Sequence, residues 1–562
     1  MQGFLIPSHN RKKRATLFSL VSLGLLFTSL SGCNTTSKGN GDSGTGKPAT
    51  ENVLRYPLTT EPTSLDPAKV EDGTTIDLIQ QVYEGLVIWN EKNEIEPNLA
   101  EKWELLPDRV TYAFHIKHGV KFHNGRELTA DDFKYSLERA CDPKLKSPTA
   151  QSYLKDIVGA NDKIVGKAQD IKGVKVVDKY TLNITIDGFK PFWLGNMTYP
   201  CSYAVCKEEV EKNGGTIDEN TLASTTGTGP FKFAEVRRND SVRLAAFADY
   251  HKGKAKLDGI LRPIVKDAGQ RLNKYEAGEL DYTEISAADL DRVNSNDTLK
   301  GELKSFLRAA TWYIGMNQDA KDSPFAKREV RQAFAMAINK DDILRVAMKG
   351  QADKADGIVP PGIKGRNEHI KPLPYDPAKA KQLLAQAGYP DGKGFPALSF
   401  SFRNDYPQVA QTAEVIAQQL KTNLGIEVQI RPMEWGQFLV ERKAKTLPLT
   451  HLRWGADYLD PQNFLSTLLH TSRKVNGQED HPENGVGYKS AEFDKLCDAA
   501  DVEPNEEKRW ELYRKAEQIA VDDAPWVPLY FQRDLELIKP RVKNIRDSLF
   551  GHRPHTTTTV TP

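Results

Sequence analysis

The 562-residue sequence is poor in the side chains that most often carry metal or nucleophile chemistry, with five cysteines, six methionines and eleven histidines. It contains no HExxH, no GxSxG and no glycine-rich loop ending in GK[ST], so the local signatures of a zinc peptidase, an α/β-hydrolase and a P-loop NTPase are all missing. Neither sign of charge dominates, with 77 basic against 76 acidic residues, and no Lys/Arg block interleaved with aromatics occurs in the body of the chain. Nucleic acid is therefore not an expected partner. No stretch after the first 32 residues approaches the length needed to span a membrane. What is present is ordinary for a globular protein, 39% hydrophobic and 27% charged, in a chain too long for one core. Three or four domains, or one large two-lobed body, are expected.

The N-terminus reads as a targeting segment. Arg11, Lys12, Lys13 and Arg14 form a basic region, Leu17 to Leu30 an apolar one, and Leu30-Ser31-Gly32-Cys33 closes it. This resembles a bacterial lipoprotein signal, which implies cleavage after residue 32, lipidation of Cys33 and a membrane anchor. An ordinary secretory signal is the alternative. Loss of residues 1–32 leaves 73 basic against 76 acidic residues, a formal charge of −3. Residues 33–52, rich in Ser, Gly, Thr and Lys, form a flexible leash. The remaining cysteines, Cys141, Cys201, Cys206 and Cys497, permit three pairings or none in an oxidising compartment, and their spacing matches no zinc site. No metal or cofactor is expected.

The run His451 to Leu469, HLRWGADYLDPQNFLSTLL, holds the main candidate residues. A strand can end near Trp454, Gly455 permits tight backbone, and Asp460-Pro461 is a helix N-cap followed by proline at the first helical position. Trp454 and Asp457 then lie on a strand-to-helix loop, where scaffolds present binding groups. The run taken alone is read as readily with Asp457 capping a turn and Trp454 in the core.

Elsewhere, Val53–Leu58 reads as a strand and 74–86 as a helix. Val110, Tyr112, Phe114 and Ile116 alternate as a half-buried strand, with His115, His118 and His123 on a solvated strand and hairpin. Thr129 and Asp132 form a capping box. Tyr180, Leu182, Ile184 and Ile186 form a one-sided or edge strand, and Thr226-Gly227-Thr228-Gly229-Pro230 a tight turn and not a phosphate loop. Helices are expected over 324–340, 341–349 and 506–522, and an aromatic strand over 525–531. Leu398–Phe402 as a strand, a helix striped by Val409, Ala413, Ile416 and Leu420 and ended at Gly425, then Ile426–Ile430 as a strand make a βαβ unit. Its geometry places Trp435 at the C-terminal end of a parallel strand, where open α/β sheets bind ligands. The terminal HTTTTVTP is low-complexity and expected to be disordered.

SLDP (64–67), EGL (84–86), AEKWE (100–104), YAFHIKHGVKFHNGRELTADDF (112–133), GTGPF (227–231), VRQAFAMAINKDDI (330–343) and WGADYLDP (454–461) together resemble the extracytoplasmic solute-binding proteins of peptide ABC importers, over about 54–542. The resemblance implies an α/β fold of the type II periplasmic-binding-protein kind, two-lobed with mixed sheets and an additional α/β domain. Lobe I would take 53–83, 200–305 and 525–562, the extra domain 84–199 and lobe II 306–524, with hinges near 306–311 and 524–529. It implies a non-catalytic monomer that captures a peptide and delivers it to the permease outside the cytoplasmic membrane. Asp457 would take the ligand's α-amino group. The ligand backbone would lie between Glu71, Asp72 and Gly73 on one side and Arg453, Trp454 and Gly455 on the other, with Trp435 and Trp454 walling side-chain pockets and Arg442 facing the ligand carboxylate. His451 stands where oligopeptide binders carry another arginine, and Ala310 and Gly455 where some carry a disulfide.

Competing readings are a relative that binds an oligosaccharide, nickel or haem, a peptide-sensing receptor, and an exported glycosidase using Asp457 with Asp460. The last is disfavoured because an N-cap carboxylate is spent on backbone N–H groups.

Overall fold

The computed structural model describes residues 52–561 apart from Asn476, Gly477, Asp480 and Arg553; the expected signal, the lipidated Cys33 and the leash to residue 51 lie outside the described residues. The largest sheet has seven strands. Two long antiparallel strands, Leu303–Met316 and Trp526–Ile538, run through its middle. Outside the first lies Leu449–Gly455, antiparallel to it, followed by the parallel pair Leu398–Arg403 and Val428–Met433. Tyr282–Glu284 closes the opposite edge. The βαβ unit is present as expected: helix Pro407–Leu424 joins the parallel pair, and it stops where Gly425 adopts φ +72°, a conformation cheap only for glycine. Val409, Ala413, Ile416 and Leu420 are buried against Phe400 and Phe402.

A second sheet of four strands is built from Val53–Arg55, Gly259–Pro263, Ser241–Ala246 and Phe231–Arg237 in that spatial order. The loop entering its last strand holds Gly227 and Gly229, where a Cβ would fall 2.1 Å from the carbonyl oxygen of Val82 and 2.7 Å from that of Gln81. The glycines serve close backbone approach, as a tight turn requires. The helix before it is shorter than expected, Gly73–Ile79.

A third sheet orders Ala100–Leu105, Thr111–Ile116, Thr181–Thr185 and Val174–Asp178. Here two expectations change. Thr111 and Ala113 are buried along with Tyr112 and Phe114, because this strand is internal and small residues can be covered on its second face; the Thr111 hydroxyl stays satisfied by Asp108 at 2.7 Å. Leu182 and Ile184 do face one side, but their strand is internal too, between the second and fourth. The capping box forms, with the Asp132 carboxylate accepting from the Thr129 N–H at 2.8 Å. His123 is not part of a solvated face: its Nε2 lies 3.0 Å from the Gly229 carbonyl, its Nδ1 accepts from the Gly227 N–H at 3.2 Å, and burial pulls its pKa down to about 4. It fastens the tight turn to the hairpin bridged by Lys121 and Glu127.

All four described cysteines are buried free thiols. The threonine-rich terminus is ordered where it was expected not to be. Thr559–Val560 pairs with Val542–Lys543, and His555 and Thr558 are buried. The His555 N–H donates to Gln81 Oε1 at 3.1 Å, and Val560 N–H to Asn52 Oδ1 at 3.0 Å. Threonines favour extended backbone, so a tract of them finds a strand partner once the body offers one.

Candidate ligand-binding cleft

Strand Leu449–Gly455 is paired along its whole length on one side, whereas on the other the pairing to Leu398–Arg403 covers only Leu449 and Thr450. The backbone of Leu452 to Gly455 therefore has one side free of cross-strand pairing, and that stretch lines a cavity of about 650 Å³. All ten residues expected at a site line it: Glu71, Asp72, Gly73, Trp435, Arg442, His451, Arg453, Trp454, Gly455 and Asp457. Their roles within it differ.

Asp457 and Asp460 divide as their spacing suggests. Asp460 Oδ1 accepts from the Gln462 N–H at 2.9 Å and caps a 3-10 turn, Pro461–Asn463, where a longer helix was expected; the next helix, Ser466–Leu469, is a single turn. Asp460 is also clamped by Arg509, at 2.5 and 2.7 Å. Asp457 is left for the cavity. Burial pushes its pKa up to about 7, opposed by hydrogen bonds from the Tyr153 hydroxyl at 2.5 Å and Asn463 Nδ2 at 3.4 Å. A half-buried carboxylate with few donors gains from an incoming cation. Asn463 also sets the loop's shape, its Oδ1 accepting from both the Asp457 N–H at 3.0 Å and Trp454 Nε1 at 3.1 Å.

Trp435 opens helix Trp435–Lys443, directly after the parallel strand Val428–Met433, as the βαβ geometry requires. Its ring lies over the Arg403 guanidinium, 4.0 Å from the centroid, and its indole N–H has no partner among the described residues. Arg442, expected to face a ligand carboxylate, is already paired: its Nη2 donates to the Glu483 carbonyl at 3.2 Å and its Nη1 reaches the Glu483 carboxylate at 3.4 Å. Its Nε has no partner. His451 does not replace an arginine as a charged group. It is 1% exposed, stacked on Trp312 at 5.3 Å, and burial pulls its pKa down to about 3, so the ring is neutral.

Ala310 and Gly455 are direct cross-strand partners. The space beside Gly455 is filled by the Arg453 guanidinium, whose Nη1 lies 2.8 Å from where a Cβ would sit. Arg453 Nε in turn donates to Gln532. Asp72 is less available than expected, since Oδ1 accepts from the Thr75 N–H at 3.0 Å as the cap of helix Gly73–Ile79 and Oδ2 from the Thr63 hydroxyl at 2.7 Å. Glu71 pairs across the cavity with Lys443 at 2.8 Å.

Sequence reasoning missed Tyr153, Asn463, Glu483 and Lys443. Asn463 carried a weak signal, lying three residues past the N-cap in the same run. Lys443 directly follows the expected Arg442 on the same helix, whereas Tyr153 and Glu483 come to the cavity from other segments and had none.

The described profile of bacterial extracellular solute-binding proteins, family 5, matches residues 94–476. The chain is 31% identical to heme-binding protein A of Haemophilus influenzae, over 96% of this chain and 98% of that one. It is 30% identical to the oligopeptide-binding protein OppA of Bacillus subtilis, over 95% and 97%. Its fold is similar to that of the murein tripeptide binding protein MppA of Escherichia coli, with TM-score 0.81 at 26% identity, covering 92% of this chain and 99% of that one. Against the unliganded open form of MppA the TM-score is 0.69, with 91% and 98% covered. The fold is thus the α/β, two-lobed type II architecture that the motifs implied, and the chain belongs to the bacterial extracellular solute-binding proteins of family 5.

Proposed function

We propose that this protein captures oligopeptides in the cavity between its lobes and delivers them to the membrane subunits of an ABC importer, without catalysing a reaction. The observation that carries the reading is Asp457: a half-buried carboxylate lining the cavity, donated to by Tyr153 and Asn463 and without an ion pair among the described residues. A peptide α-ammonium supplies one, and a charged hydrogen bond of this kind is worth about 1.5–3 kcal/mol. The side of Leu452 to Gly455 left unpaired by the sheet supports binding of the peptide main chain as an added strand, which tolerates many sequences. Trp454 and Trp435 wall the flanking space, and the Arg403 guanidinium beneath Trp435 keeps that wall polar.

Lobe I, the extra domain and lobe II take the segments given above, and closure bends the two long strands that pass between the lobes. The ladder joining those strands shifts register between Leu307 and Thr311 and again between Trp312 and Tyr313, which supports hinge positions at 306–311. The chain is held to the membrane as a monomer through Cys33.

Calorimetric titration with trialanine and with its N-acetyl derivative tests the reading. Acetylation is expected to weaken binding at least tenfold. Equal affinities would remove the amine anchor. Haem, titrated alongside, is expected to compete poorly.

A further inference from the structure

Glu284 lies at the end of the edge strand Tyr282–Glu284, opposite Glu536 in the ladder, and it lines the same cavity as Asp457. Its carboxylate has no hydrogen-bond or ion-pair partner among the described residues. Asp534 and Glu536, which also line the cavity, add negative charge beside it, and burial with these two neighbours pushes its pKa up to about 7.

Of the arginines nearby, Arg308 is committed to carboxylates, shared among Asp534, Glu536 at 3.3 Å and Asp547 at 2.9 Å. Arg271 Nη1 donates to the carbonyls of Val265 and Lys266 at 3.0 and 2.8 Å, and Arg453 Nε is bonded to Gln532; both ease the charge on Glu284 through space without an ion pair to it. Arg308 thus pairs with three of these four carboxylates, and Glu284 is the one it does not reach.

A second observation points the same way. The His451 ring, 1% exposed and lining the same cavity, has neither nitrogen hydrogen-bonded. A neutral imidazole always keeps one acceptor nitrogen. An acidic ligand side chain would be repelled at Glu284, and an apolar one would strip its water and return nothing. A cationic donor meets the need at Glu284, and a ligand donor elsewhere in the cavity meets that at His451.

We infer that the cleft selects peptides carrying a lysine or arginine side chain, with its cationic head seated against Glu284 while the α-ammonium sits on Asp457. This rests on the peptide reading above and adds the ligand class.

The test uses trialanine scaffolds in which each position in turn is lysine or its uncharged isostere norleucine, titrated into wild type and Glu284→Gln at pH 8. In wild type the lysine peptide is expected to bind at least tenfold tighter than its norleucine partner at one position. In Glu284→Gln that ratio falls to about one. No preference at any position in wild type overturns the inference, and needs no variant to fold. So does a preference that persists in Glu284→Gln. Trialanine binding that is lost on N-acetylation keeps the peptide reading standing whichever way the lysine series falls, and absence of binding by every peptide overturns both.

Discussion

Replacing Asp457 by asparagine keeps the shape of the side chain, leaves an oxygen to accept from Tyr153, and removes the charge. In the empty cleft the Asp457 carboxyl ionises at about pH 7, because burial outweighs the hydrogen bonds from Tyr153 and Asn463. An α-ammonium placed against it favours the ionised form, so binding below pH 7 must first expel a proton. Each unit of pKa is worth about 1.4 kcal/mol. Two units below that pKa, near pH 5, wild-type affinity for trialanine is therefore expected to be down by about ten- to a hundredfold, the loss being capped by the 1.5–3 kcal/mol with which the ammonium favours the ionised carboxyl. At pH 8, where the carboxyl is ionised and about half of the peptide α-amines still carry their proton, the wild type keeps most of its advantage over Asp457→Asn, about 1.5–3 kcal/mol for the charged hydrogen bond, or roughly 10- to 150-fold. At pH 5 the two proteins converge, since both then present a neutral group. Trialanine has no side-chain charge to couple to Glu284, which titrates in the same range. The assay is isothermal titration at four values between pH 5 and 8. A wild-type affinity that does not change over this range, or a slope retained in Asp457→Asn, would refute the argument.

Lys443→Ala removes the 2.8 Å pair with Glu71 that crosses the cleft. Both side chains are substantially exposed, so the effect is at most about 1 kcal/mol, read as an up to fivefold faster peptide release in stopped-flow tryptophan fluorescence and shrinking with added salt. Far from the cleft, Glu517 accepts from the Ile358 and Val359 N–H groups at 2.8 and 2.9 Å, yet burial pushes its pKa up to about 7. A carboxyl whose folded pKa is raised binds its proton more tightly when folded, so it costs stability as pH rises from about 4.5 through 7, by about 3 kcal/mol in all. Urea unfolding of Glu517→Gln is expected to fall less between pH 5 and 8 than that of wild type; an identical fall in both would sink this assignment.

Local pattern was a good guide wherever one element decides its own geometry. The βαβ unit followed from two alternating runs, a helical stripe and Gly425, and with it the place of Trp435. The Thr129 capping box and the Asp460 cap needed only neighbours three residues away or fewer. The same short range misled at Thr111 and Ala113, where burial depends on which strands flank the segment, and at residues 555–562, whose polar composition concealed a strand partner at Val542–Lys543.

The sequence by itself determined that Asp460, followed by proline, would cap, because capping geometry is local; whether Asp457, three residues away, capped a turn or faced a ligand the run left open. It also determined the family, through motifs spread over most of the chain. What surrounds Asp457 was decided only by tertiary structure. Tyr153 arrives from 304 residues away to donate to it, Glu483 takes up Arg442 before any ligand can, and Glu284 has no partner among the described residues because Arg308 is shared among Asp534, Glu536 and Asp547. Charge in a cleft is a sum over segments that meet only on folding, and Coulomb interactions gain their strength there from the water that folding excludes.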